Sequence, residues 1–150
     1  MKFKITWVGK TKDKHWKALQ EEYLRRLSYF VSCEITEVRD GAGTNSVEIE
    51  GNRIVTSLNH SSFVTLLDVN GRTLSSPELA AQIEKWLNQG LREVTFIIGG
   101  AEGVSREVAE RADFALSLSF LTFTHETARV VLLEQLYRAF TIIRGFPYQK

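Results

Sequence analysis

The sequence predicts one α/β domain built on a mostly parallel sheet, and three observations predict it. Strand-like and helix-like segments alternate along all 150 residues, the pattern of helices layered on a sheet. Phe63-Val64-Thr65-Leu66-Leu67-Asp68 and Val94-Thr95-Phe96-Ile97-Ile98 are nearly continuous apolar runs, as expected of strands buried on both faces. The composition, 43% apolar and 25% charged with two prolines, is that of an ordinary globular domain of this length. No repeat, low-complexity tract or linker divides the chain, so residues 1–150 read as a single unit.

Each element has its own signal. Residues 3–8 alternate and are rich in β formers, a first strand. Asp13 precedes an amphipathic helix with Trp16, Leu19, Tyr23 and Leu27 on its apolar face and Glu21, Glu22, Arg25 and Arg26 on the other. Residues 31–38 alternate in part and form a second strand, Asp40 to Ser46 has loop chemistry, and 47–60 reads as a short helix. The third strand, 63–68, is expected to end at Asn70-Gly71. Ser76 as cap, Pro77 at the first helical position and Glu78 in the first turn open a helix with a Leu79, Ile83, Trp86 and Leu87 face, stopped at Gly90. The fourth strand, 94–98, runs directly into Gly99-Gly100, and Ser105 caps a short helix over 106–112. Phe114 to Leu118 is a last short strand, after which Thr124 or Thr127 caps a long helix to about Ile143.

Composition excludes several classes. No run of 18 apolar residues exists, so nothing reads as a membrane span. The first nine residues lack a signal-peptide core and cleavage site. Cys33 is the only cysteine, which rules out an intrachain disulfide or a cysteine-based zinc site, and His15 and His60 have no partner at ligand spacing, so no metal is expected. A cytoplasmic location fits these features. The net charge of +1 is no nucleic-acid footprint by itself. The two ends are basic, however: Lys2, Lys4, Lys10, Lys12, Lys14 and Lys17 at one, Arg129, Arg138, Arg144 and Lys150 at the other. They make a phosphate-contacting surface if they meet, and ordinary solvated charge if they do not.

Three stretches carry candidate chemistry. Ile98-Gly99-Gly100-Ala101-Glu102-Gly103 follows a buried strand, where ligands of open α/β sheets bind. Paired glycines permit close backbone approach and positive φ. The spacing matches neither the dinucleotide fingerprint nor a phosphate-binding loop, and a tight strand-to-helix turn needs the same residues. Leu116 to His125 sets small hydroxyl residues between apolar ones, either a wall for a flat apolar ring or a buried packing loop. The helix from about Glu126 to Ile143 is apolar nearly all round, with Val130, Leu133, Leu136 or Tyr137, Phe140 and Ile143 on one side and Val131, Leu132, Ala139 and Ile142 on others. It is a central core helix or one that packs on a second subunit. His125 is a candidate general base or a structural histidine.

Taken together, Ile98 to Gly103, Leu116 to His125, Arg129-Val130-Val131-Leu132-Leu133-Glu134-Gln135-Leu136-Tyr137-Arg138-Ala139-Phe140 and Pro147-Tyr148 resemble the RlmH family, the ribosomal RNA large subunit methyltransferase H group of the SPOUT class. Val8-Gly9-Lys10 and Glu22-Tyr23-Leu24-Arg25-Arg26 match as well, and the resemblance runs end to end, weakest over about 41–60. It implies an α/β domain with a C-terminal trefoil knot, a homodimer, and S-adenosyl-L-methionine as cofactor. The implied product is N3-methylpseudouridine in a 23S rRNA hairpin of the assembled ribosome; the alternative is a ribosome- or RNA-binding protein that keeps the fold without catalysis. Carried over by motif, the cofactor contacts are Leu67, Gly99, Gly100, Leu118, Ser119, Phe120, Leu121, Thr122 and Phe123. Arg138 and Arg144 are expected to stabilise the anion of the target ring, Tyr148 to stack or hydrogen-bond, and His125 to be an alternative base. Arg129 is assigned a structural or dimer role. Two positions depart from the family: Thr124 stands where proline usually precedes the loop histidine, and the chain ends Tyr148-Gln149-Lys150 where Tyr-His-basic is usual. A base role for a tail histidine is therefore absent here.

Overall fold

In the computed structural model, which describes residues 1–148, five parallel strands form one sheet in the order β2-β1-β4-β3-β5. The strands are β1 (Lys2–Val8), β2 (Ser32–Val38), β3 (Phe63–Thr73), β4 (Glu93–Ile98) and β5 (Phe114–Ser117). Between and after them run α1 (Lys14–Leu27), α2 (Ser46–Ser57), α3 (Ser76–Asn88), α4 (Arg106–Arg111) and α5 (His125–Arg144). The expected α/β architecture with a parallel sheet is what the chain forms. Gln149 and Lys150, where the tail departs from the family pattern, lie outside the described residues.

Strand alternation divides the interior in two. Phe3, Ile5 and Trp7 of β1 with Phe96 and Ile98 of β4 face α1, α3 and α5. Val8, Val38, Val64, Leu66 and Ile97 face Ile54 of α2 and Val108 of α4. The predicted apolar all-round character of α5 has a partial explanation within one chain: Leu132, Leu133, Leu136, Ala139 and Phe140 are buried against the sheet and its neighbouring helices.

The structure corrects three local readings. The buried face of α1 is Gln20 and Leu27 with Leu24 partly buried, not the Trp16–Leu19 side; Leu19 is 43% exposed. Positions 20, 24 and 27 share one helical stripe, and Gln20 is accommodated there because its Oε1 accepts from the Thr11 hydroxyl at 2.8 Å. The α3 cap is Ser75, not Ser76: Glu78 must lie three residues after the cap for reciprocal bonding, and Ser75 accepts from Glu78 N while the Glu78 carboxylate accepts from Ser75 N at 2.7 Å. Finally, β3 does not stop at Asn70-Gly71. Leu67 and Arg72 both register with Leu116, so residues 68–71 are extruded as a bulge and pairing resumes beyond them. Gly71 makes this possible: a Cβ there would stand 2.7 Å from the Ala115 carbonyl carbon.

Candidate functional site

The carboxyl ends of β4, β3 and β5 lie side by side, and a cavity of about 430 Å³ opens over them. β4 delivers Ile98, Gly99 and Gly100; the β3 bulge delivers Leu67, Asp68 and Val69. The segment after β5 supplies Leu118, Ser119, Leu121, Thr122 and Phe123, and the first turn of α5 closes the cavity with His125 and Ala128. Of the expected cofactor contacts, all but Phe120 line it. Phe120 is 79% exposed and turns to solvent.

Each wall has a local cause. Gly99 and Gly100 do not use positive φ, contrary to one reason for expecting them; among these glycines only Gly103 does, at 85°. Gly99 is required by crowding, since a Cβ would lie 2.6 Å from Val104 Cγ1. The turn closes through Gly103 N donating to Gly100 O at 3.0 Å. In the β5–α5 segment, Ser119 Oγ accepts from Leu121 N at 3.0 Å and Ser117 Oγ donates to Ser119 O at 3.2 Å, which fixes the loop. Thr124 is the α5 cap, accepting from Thr127 N at 3.3 Å, so threonine here offers a cap where proline would offer rigidity.

Among the described residues the cavity wall is mainly apolar, carries no Lys or Arg, and holds one carboxylate, Asp68. That chemistry suits a flat ring attached to a cationic or neutral group and provides nothing for a polyphosphate. Asp68 Oδ1 accepts from Asn70 N at 2.9 Å, which ties the carboxylate to the bulge. Ile98 stands in the wall as the first residue of the glycine-rich motif; Asp68 and Val69 escaped the sequence reading because a bulge inside a strand leaves no periodic signature, and Val104 lies just past that motif. Among the described residues no cluster of His, Cys, Asp or Glu is arranged to hold a metal ion.

The four residues expected at the chemical step are not together in one chain. His125 stands in the cavity wall at the start of α5. Arg138 lies 13 residues along that helix and Arg144 at its last residue, roughly 20 and 28 Å away at the helical rise. Arg138 and Tyr148 are neighbours, with the guanidinium carbon 4.7 Å from the ring centroid, and both bond to Glu134. Arg144 is exposed. Tyr148 also borders a cleft of about 710 Å³ with Arg26, Tyr29, Phe30 and Phe146. Burial, with hydrogen bonds to Tyr23 and Glu134, pushes the Tyr148 phenol up, so it is a proton donor at neutral pH.

The Lys-rich segment meets the start of α5. Lys12 N donates to Glu126 Oε1 at 3.2 Å. Arg129, 3% exposed, donates to Val8 O at 2.6 Å, Gly9 O at 3.2 Å and Thr11 Oγ1 at 2.9 Å, and lies 4.7 Å above the Trp7 ring. Its expected structural role is the one these contacts describe.

The chain is similar to known proteins along its whole length. A family model described as predicted SPOUT methyltransferase matches residues 1–149. The ribosomal RNA large subunit methyltransferase H proteins of Carboxydothermus hydrogenoformans, Halothermothrix orenii and Acetivibrio thermocellus are 45%, 43% and 41% identical, each over the full length of both chains. A solved structure described as a probable methylase family protein from Haemophilus influenzae superposes with a TM-score of 0.57 at 12% identity, over 99% of this chain and 70% of that one. At that identity it speaks for the fold alone.

Proposed function

The chain belongs to the SPOUT methyltransferase family, and on that premise we propose that it methylates large-subunit ribosomal RNA using S-adenosyl-L-methionine held in the β4–β3–β5 cavity. One observation carries the cofactor reading: among the described residues the cavity at three adjacent strand ends is mainly apolar, has no Lys or Arg and keeps one carboxylate, Asp68, suited to a positively charged ligand. Leu67, Gly99, Gly100, Leu118, Ser119, Leu121, Thr122 and Phe123 would hold the cofactor, with Phe120 at the mouth. When bound, the cofactor supplies an electrophilic methyl group. The names of the full-length relatives direct the reading to ribosomal RNA. The resemblance refines it to N3 of a pseudouridine in 23S rRNA, methylated in the assembled ribosome and so in the cytoplasm. The trefoil knot belongs to the same reading, as the family resemblance implies it.

N3 of the target ring is an imide that must lose its proton before it can act as nucleophile. Arg138 and Arg144 are the groups that would stabilise the resulting anion, and Tyr148, which keeps its proton, would donate a hydrogen bond or stack. His125 is an alternative proton acceptor within the cavity wall. The separation along α5 between the cavity and Arg138, Arg144 and Tyr148 favours a homodimer, in which one protomer's tail serves its partner's cavity. The Lys10–Lys14 segment, tied to α5 through Arg129 and Glu126, is positioned to meet phosphates near the cavity.

The deciding experiment offers radiolabelled S-adenosyl-L-methionine and whole ribosomes, with free rRNA in parallel, and follows thermal unfolding with each nucleotide ligand. The expected result is label in 23S rRNA of ribosomes, with stabilisation by S-adenosyl-L-methionine and none by ATP or NAD. Cofactor stabilisation without label would leave a non-catalytic ribosome-binding protein instead.

A further inference from the structure

Glu134 has the environment of a part in the machinery and not of a surface ion pair. Its Oε1 accepts from Arg138 Nε at 3.0 Å, from Arg138 Nη2 at 2.6 Å and from the Tyr148 hydroxyl at 3.0 Å. Its Oε2 accepts from Gln135 Nε2 at 2.7 Å, and Gln135 Oε1 in turn accepts from Ser76 Oγ at 2.6 Å. The carboxylate is thus fixed from behind by the first turn of α3 and presents its other oxygen to two donors. The contrast lies in the same chain. Arg106 and Glu110 also pair at i, i+4, but their side chains are 91% and 63% exposed, against 23% and 17% for Arg138 and Glu134. An exposed pair of that kind has little to hold; a half-buried carboxylate that gathers a guanidinium and a phenol fixes both.

We infer that Glu134 is a positioning residue that holds Arg138 and Tyr148 as one rigid pair, so that the guanidinium plane and the phenol face the target base in a set relation. The inference rests on the proposed reading that Arg138 and Tyr148 meet that base. The bonding leaves each donor partly free. Arg138 Nη1 has no protein partner among the described residues, and Tyr148 borders the open cleft beside Arg26 and Tyr29. With Tyr137 edge-on to Tyr148 at 4.8 Å, the phenol is held from a third side. Among the described residues neither Arg138 nor Tyr148 has a second anion to hold it if the carboxylate is lost. The expected consequence is disorder of the pair, and displacement of about 1 Å at a reacting centre costs up to about 100-fold in rate.

The test uses the full chain with ribosomes as methyl acceptor, comparing Glu134→Gln, Glu134→Asp, Arg138→Ala and the Glu134→Gln/Arg138→Ala double variant. Glu134→Gln removes the charge at constant shape; Glu134→Asp keeps the charge and withdraws it by one methylene. Both are expected to lower kcat roughly 10- to 100-fold, with KM for ribosomes and the dissociation constant of S-adenosyl-L-methionine within about twofold of the parent. In the Arg138→Ala background, Glu134→Gln is expected to cost clearly less than in the parent, since of the two groups it positions only Tyr148 remains. Unchanged kcat in both Glu134 variants overturns the inference. So does a kcat loss that multiplies with that of Arg138→Ala, or one that comes with lost cofactor binding or a collapsed unfolding transition. Full turnover in Arg138→Ala overturns the reading beneath it instead.

Discussion

Arg129 brings a full positive charge to a position 3% exposed, and burial pulls its pKa down while Glu37, Glu126 and Asp40 oppose the shift. The charge is tolerated because carbonyls of the β1 turn and the face of Trp7 replace water. Replacement by alanine leaves the Val8 and Gly9 carbonyls short of a donor and opens space above Trp7. We expect Arg129→Ala to cost about 2–4 kcal/mol in urea unfolding; a change below about 0.5 kcal/mol would contradict this account. At this scale the sequence was uneven. Gly99 and Leu67 could be named by motif, and both line the cavity; of the two threonines offered as the α5 cap, Thr124 is the cap. Asp68 and Glu134 could not, because each owes its place to partners distant in sequence or to a bulge. Glu134 left one sequence trace, its i, i+4 spacing to Arg138, which also marks countless solvated pairs.

Element boundaries follow local chemistry most closely where a cap decides them. Asp13, Ser105 and Thr124 each accept from the first turn of the helix they precede, as the sequence reading has it. In α3 two serines compete for that place, and the partner Glu78 selects Ser75. Ser75→Ala should therefore cost about 1 kcal/mol, measured as a lower denaturation midpoint at unchanged slope; no change would mean that the cap bonds contribute nothing to stability. The misread face of α1 has a different origin. Periodicity identifies a stripe, but Trp16, Leu19, Tyr23 and Leu27 form one stripe and Gln20, Leu24 and Leu27 another; Leu27 and Tyr23 of the first do meet the core, and packing turns the rest of the buried face toward Gln20 and Leu24. The bulge in β3 was illegible for a similar reason: Asn70-Gly71 is turn chemistry by composition, and pairing of Arg72 and Thr73 with β5 makes it an interruption within a strand.

Across the whole molecule the net charge of +1 conceals an arrangement. The exposed lysines at 10, 12, 14 and 17 stand beside the start of α5, whose first turn walls the cavity. If these four neutralise phosphates in the proposed complex, ribosome affinity should fall several tens of fold, roughly, between 50 and 200 mM salt. A flat response in a filter-binding or sedimentation assay would remove the lysine segment from the interface. Fold class and layer order were legible because two buried strands and the helix caps lie within short windows. The strand order was not, since it depends on which distant segments pair. One consequence of the layering concerns the chain's birth. Phe3 and Ile5 near its beginning share a core with Leu132, Leu136 and Phe140 near its end, and Phe3 lies 5.8 Å from Phe140. An emerging chain therefore cannot close its larger core until α5 has been made, and the sheet face meant for that helix stays uncovered until then. Over that interval the nascent chain depends on whatever shields its apolar surface.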